Sequence, residues 1–249
     1  MKDKRVWILF SILFLYIVIA LAISFFDRTR NFMIINDEYY YKFQNGIIYN
    51  IDDTDKRLLT NQFIVYSYGI LPNAFNYTNQ RIDGRICYTY GEAKKQKLLK
   101  LPYIAVSGNI DLTNFAIEKF DETDILNLKN VLITEGKTAD FILLHNGKTT
   151  IDLNNDGTNE TVYFATGSDA ADVNVFAIIY VQNESGYKIL ESSYQTKKGE
   201  FSPSYSLSFI VDINKDKNYE MIVLDTNDGE SDYNFYEYKN GSYQKMTKE

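Results

Sequence analysis

The chain has 249 residues, with 26 Lys+Arg against 33 Asp+Glu and a net charge of −7. Its 45% apolar and 24% charged content is ordinary for a globular protein, which excludes a disordered chain, and its length suits one or two domains. A single Cys rules out an internal disulfide framework or a multi-cysteine metal site, a single His removes most His-based metal and catalytic designs, and the acidic balance argues against nucleic acid as a partner.

Residues 1–5 read as a cytoplasmic tip. Val6 to Phe26 then run without a charge, and at about 1.5 Å per residue they cover roughly the 30 Å of a bilayer core. Ala20-Leu21-Ala22 has the small-x-small form of a signal-peptide cleavage site. Ile23, Ser24, Phe25 and Phe26 carry the apolar run past it, so an uncleaved transmembrane anchor (a signal-anchor) is the expectation. Lys2, Lys4 and Arg5 precede the span and Arg28 and Arg30 follow it, which orients the N-terminus inward and the remaining mass outward. The predicted location is the cell membrane, single-pass, with an extracytoplasmic C-terminal domain.

From residue 27 to about 120 the text is Tyr-rich and strand-like. Tyr suits half-buried strands; the sharper alternative is an aromatic platform for sugar or peptide. Glu38 to Phe43 leads through Gln44-Asn45-Gly46 into Ile47-Ile48-Tyr49, a hairpin whose Asn-Gly accepts the positive φ of a tight turn. Gln62–Leu71, Arg85–Tyr90 and Leu98–Ser107 are rich in β-branched and aromatic residues and predict further strands. Residues 121–138 form the exception. Thr123 is placed to cap a short helix through Leu132, with Ile125, Leu128 and Leu132 on one face and Gly136 as its stop. The helix is expected to separate two β-rich halves. Beyond it, Phe141–Leu144, a His145-Asn146-Gly147 turn and Lys148–Leu153 read as a second hairpin, and Tyr236–Tyr238 with Asn240-Gly241 as a third. The fold class is therefore mainly β, in antiparallel sheets with one short helix.

Residues 139–249 hold the most informative pattern. Ile151 to Glu160 reads IDLNNDGTNE and, sixty residues later, Val211 to Glu220 reads VDINKDKNYE. Each is followed by an apolar strand. Asp152, Asn154, Asp156 and Glu160 occupy positions 1, 3, 5 and 9 of the first loop; Asp212, Asn214, Asp216 and Glu220 occupy those of the second. A carbonyl at position 7, Thr158 or Asn218, can complete the shell of a Ca²⁺ ion, which takes six to eight oxygens at about 2.3–2.6 Å. The opening matches an EF-hand, but position 12 of the first loop is Tyr163 rather than Glu and the flanks are strands. Asp and Asn also make metal-free turns by bonding their own backbone.

The stretch Asp152–Val162 resembles the calcium loops of FG-GAP and VCBS-type repeats, and Asp212–Val223 does so more loosely, with Lys217 where that family has Gly. YVQNESGY at 180–187 and YEYKNGSY at 236–243 are similar to outer strands of such repeats. With the anchor, the layout is similar to single-pass membrane proteins of low-GC Gram-positive bacteria. The resemblance implies Ca²⁺ in the loops and blades of a β-propeller. Two blades cannot close a ring, so the first half would supply degenerate blades or the domain would stay open.

Other polar groups are weaker. His145 reads as a solvated turn residue and Cys87 as a buried thiol. Asp169/Asp172 and Asp228/Glu230/Asp232 follow the strand after each acidic loop and should lie on equivalent loops. A catalytic role for such pairs is not favoured, and no P-loop, G-x-G-x-x-G or G-x-S-x-G motif is present. The expectation is a membrane-anchored binding or structural module with calcium-type loops. Its partners would be the membrane and a cell-wall polymer or another envelope protein. The alternatives are an enzyme acting on envelope polymer and an accessory subunit of another membrane protein.

Overall fold

The computed structural model describes residues 14–16, 18, 31–44, 46–67, 70–77, 81–82, 85–90, 95–98, 103–108, 110–137, 139–169, 174–196 and 203–249. The apolar run 6–26 lies almost wholly outside these residues. Among the described residues no helix is long and apolar enough to cross a membrane. The chain divides into two compact units, residues 1–109 with 248–249, and residues 110–247.

The first unit is a sheet of nine short strands. They are β1 (Asn31–Ile35), β2 (Tyr39–Gln44), β3 (Ile47–Asn50), β4 (Gln62–Ser67), β5 (Ile70–Asn76), β6 (Arg81–Ile82), β7 (Arg85–Tyr90), β8 (Lys95–Leu98) and β9 (Tyr103–Val106). The order is β3-β2-β1-β9-β4-β5-β7-β6, with β8 also on β7. The expected hairpin at residues 38–49 forms, with Gly46 at φ +76° in its turn. The run Gln62–Leu71 is not one strand but the β4–β5 hairpin. Phe32, Ile34, Phe63, Val65, Tyr103 and Ala105 alternate onto one face and form its core cluster, while Met33, Ile35, Ile104 and Val106 between them are buried as well, so β1 and β9 at the centre of the sheet are covered on both sides. Asn50 N–H donates to the Glu249 carbonyl, so the last residues of the chain extend the β3 edge.

The second unit has three layers. A four-stranded meander comprises β11 (Ile142–Ile151), β12 (Glu160–Ser168), β13 (Asn174–Asn183) and β14 (Gly186–Thr196). A second meander comprises β15 (Ser204–Asp212), β16 (Glu220–Asn227), β17 (Glu230–Lys239) and β18 (Ser242–Lys245), with β10 (Asp111–Thr113) added beside β15. The two sheets pack face to face through Leu153, Val162, Phe164 and Ile179 from one and Leu207, Met221, Val223 and Tyr236 from the other. The opposite face of the first sheet, with Tyr163, Ala165, Phe176, Ile178 and Tyr180, is covered by helix α1 (Glu122–Thr134) through Leu128, Val131 and Leu132. β12 and β13 are thus buried on both sides and read as unbroken apolar runs rather than as alternating ones. None of the three sheets closes on itself.

Two local expectations are corrected. The N-cap of α1 lies two residues before Thr123: it is Asp121, accepting the Asp124 N–H while the Asp124 carboxylate accepts the Asp121 N–H. Reciprocal bonding of this kind satisfies two donors that a helix start leaves open. The helix belongs to the second unit and covers its sheet.

The hairpin expected at His145-Asn146-Gly147 does not exist, because β11 continues through these residues, with a bulge at Leu144 just before them. Gly147 is there for space. A Cβ at this position would meet the Phe164 ring at 2.3 Å and Ile117 at 2.7 Å, so the missing side chain admits the ring and makes no turn. His145 is accordingly an exposed strand residue beside Phe164, and partial desolvation by its neighbours together with the Lys119 charge lowers its pKa.

Candidate site at the two acidic loops

Each acidic loop joins the first and second strands of its meander, β11 to β12 and β15 to β16. In the first, both oxygens of Asp152 are engaged: Oδ1 accepts the Asp156 N–H at 3.1 Å and Oδ2 the Gly157 N–H at 3.0 Å. Asn154 Oδ1 accepts the same Asp156 N–H at 3.1 Å, which brings the first and third side chains together on one amide. Asp156 Oδ1 accepts the Thr158 N–H at 2.8 Å, and that bond holds the Asp156 carboxyl below the usual range. Glu160 returns across the loop to accept the Leu153 N–H at 2.9 Å.

The second loop repeats the scheme. Asp212 accepts from Lys215 N at 2.6 Å and Lys217 N at 3.1 Å. Asn214 accepts from Asp216 N at 2.9 Å, and Asp216 from Asn218 N at 2.8 Å. Glu220 accepts from Ile213 N at 2.9 Å. A backbone bond of 2.7 Å from Tyr219 N to the Leu153 carbonyl ties the two loops side by side. Leu153 and Ile213, the apolar residues at position 2, turn inward and are buried.

The position-9 carboxylates differ from the rest. Glu160 is 1% exposed and Glu220 4% exposed. Burial, with the charges of the Asp residues at positions 5 and 1, pushes Glu160 up, and for the same reasons pushes Glu220 up to about 8. The expected side chains thus each accept from amides of their own loop; in the first loop Asp152 and Asn154 share the Asp156 N–H, whereas in the second every acceptor has its own amide. Thr158 and Asn218 enter the scheme through their N–H groups. Among the described residues no three His, Cys, Asp or Glu side chains come together as a preformed metal group.

The carboxylates after each loop divide. Asp228 lies in the β16–β17 turn, at φ +51°, while Glu230 and Asp232 are already on β17. Asp169 ends β12 in the equivalent position and accepts from Asn174 Nδ2 at 2.6 Å. Asp172 lies outside the described residues. Cys87 is on β7.

A second polar cluster had no sequence signal. β14 carries a bulge: Ile189 pairs with Tyr180 and Glu191 with Ile179, leaving Leu190 extra. The bulge turns Glu191 onto the inner face, as bulges commonly re-aim a side chain. There Glu191 accepts from Lys245 Nζ at 2.5 Å, from Asn234 Nδ2 at 3.4 Å and from the Tyr236 hydroxyl, all on the opposite sheet. Asn234 Nδ2 also reaches Asp225 at 3.4 Å. Burial, then the Glu191 charge, raises the Asp225 pKa. These bonds tie the two sheets together.

Comparison with known proteins places no relative beside these loops: no family model, no curated protein and no solved structure matches this chain.

Proposed function

We propose that this protein is a membrane-anchored, extracytoplasmic module of binding or structural type, held to the membrane by residues 6–26. In this reading the two meanders are FG-GAP/VCBS-like blades, and their acidic loops take Ca²⁺. Asp152, Asn154, Asp156, Glu160 and the Thr158 carbonyl would hold the ion in the first loop. Asp212, Asn214, Asp216, Glu220 and the Asn218 carbonyl would hold a weaker one in the second. The supporting observation is the parallel hydrogen-bond scheme of two loops sixty residues apart, each closed by Asp, Asn and Asp side chains that accept from amides of the same loop and by a buried Glu that returns to its start. Four-stranded meanders packed face to face also suit neighbouring propeller blades. The bound ion would neutralise carboxylates that otherwise repel one another and would stiffen the loop end of the unit.

Thermal unfolding of the full chain in detergent micelles, with and without Ca²⁺, tests this reading. At one hundred times the dissociation constant the ion adds about 2.7 kcal/mol of stability. Asp156→Ala should remove most of the resulting melting shift, and Asp216→Ala less of it. An unchanged melting temperature in millimolar Ca²⁺ would reduce both loops to turns.

A further inference from the structure

The β3 edge of the first unit is closed by a segment from far along the chain. Lys248 stands opposite Ile48 in a parallel bridge. Glu249 N–H donates to the Ile48 carbonyl and Asn50 N–H to the Glu249 carbonyl, both at 2.8 Å. These main-chain groups point away from β2, while the next amide, Ile51 N–H, turns back to the Tyr40 carbonyl. This is the geometry of strand addition, in which main-chain bonds hold an added segment and alternate side chains select it.

The two side chains of the segment match the two faces of the β2–β3 hairpin. On one face Ile48 stands beside Phe43 and Asn50 beside Tyr41. Phe43, Ile48 and Tyr41 are buried there, and Lys248 sets its Nζ 5.5 Å from the centre of the Tyr41 ring. A lysine so placed covers apolar surface with its stem and meets the negative face of the ring with its ammonium. On the other face Lys42 stands beside Tyr49, with Nζ 4.7 Å from that ring centre. Successive residues of an extended segment point to opposite faces, so Glu249 falls on the Lys42 side. The edge therefore suits a basic residue followed by an acidic one.

Two main-chain bonds and one ring contact are a small part of what holds this sheet together. An edge segment held in this way opens locally while the central strands stay folded. Every copy of the chain carries the same Lys248–Glu249 pair. A second copy thus offers a segment of the right direction and order of charge, and exchange of an identical element between copies re-forms the same contacts. A foreign strand would have to reproduce that order.

We infer that the β3 edge is a docking site for the Lys248–Glu249 segment of a second copy of this chain, a site that the chain's own segment occupies in the closed form. The inference goes beyond the binding-module reading and needs neither Ca²⁺ nor a membrane anchor.

Two variants of the full chain, mixed in detergent micelles, test it. One lacks residues 248–249 and so has an acceptor edge but no segment. The other carries Asn50→Pro, which removes the outward Asn50 N–H and leaves the pairing with β2 intact, as proline does on the open side of an edge strand. It keeps the segment but cannot dock it on its own edge. Amide hydrogen exchange at Asn50, read by mass spectrometry with fragmentation, reports on the deletion copy alone, because the other copy has no such amide. The deletion should speed exchange at Asn50 about tenfold or more over the wild type, as expected for loss of a locally protecting bond. Excess Asn50→Pro copy should restore the protection, and adding Lys248→Ala to that copy should abolish the restoration. Amides of β1 and β9 report whether the deletion copy is folded; if it is not, Glu249→Pro, which removes only the segment's own donor, takes its place. Unchanged exchange at Asn50 in the deletion copy, or no restoration by the second copy, overturns the inference. Protection by a synthetic peptide of residues 243–249 but not by the second copy also overturns it, since the edge would then take free strands and not another copy's segment.

Discussion

The two acidic loops share a hydrogen-bond scheme but not a sequence, and the differences separate what shapes the loop from what loads it. Where the first loop has Gly157 at φ +89°, the second has Lys217 at φ +70°; where the first has Asn155 at +54°, the second has Lys215 at +61°. Lysine is a poor residue for left-handed backbone. The loop nevertheless closes in the same way, because Asp212 binds the amides of both lysines and Asn214 and Asp216 bind the next two. The side-chain oxygens impose the turn, and glycine only lowers its cost. The loops also differ in how they plug the core. Leu153 belongs to the cluster between the sheets, whereas Ile213 lies outside that cluster.

The plug residues give the largest expected difference. Leu153→Ala empties a fully buried site and should destabilise the protein by about 2–5 kcal/mol. Ile213→Ala should fall at the lower end of that range. Chemical denaturation of both variants measures this, and equal losses would show that the loops are equivalent supports after all.

The buried glutamates sharpen the comparison through pH. Glu220, with a pKa near 8, binds its proton more tightly in the folded state than in the unfolded one. Its contribution is therefore fully present below the unfolded carboxylate value and is lost as pH rises towards 8. In that window stability should fall by at most about 1.4 kcal/mol per pH unit from this group. Glu220→Gln should flatten the decline in unfolding experiments between pH 5 and pH 8, conditions set about those two values. Glu160→Gln should flatten it less. A wild-type profile that rises across this range would contradict the burial argument for Glu220.

The smallest effect concerns the backbone. Lys217→Gly should stabilise the second loop by about 1 kcal/mol, because it relieves a left-handed lysine. Gly157→Ala should destabilise the first by a similar amount despite open space around its Cβ position. Two melting curves of opposite displacement would confirm that φ, not crowding, sets the sign at this position.

Much of the molecule follows from local chemistry that a sequence displays. The hairpins at Gly46 and at Asn240-Gly241 form where expected, because positive φ is a property of those residues themselves. The acidic loops bend as their Asp and Asn spacing suggests, since the bonds run between residues two to seven positions apart. The mainly antiparallel β character follows from strand-forming residues between such turns.

Tertiary structure decided the remainder. Asn146-Gly147 has the letters of a turn, but the Phe164 ring needs the space above Gly147, so packing across the sheet keeps β11 continuous. The apolar runs in β12 and β13 could not say which partner covers each face; α1 takes one and the second meander takes the other. Glu191 points between the sheets only because a bulge shifts its register by one residue, and period-2 reasoning would place it on the opposite face. The pairing of Lys248 with Ile48 joins residues two hundred positions apart, a proximity that no spacing along a single strand encodes.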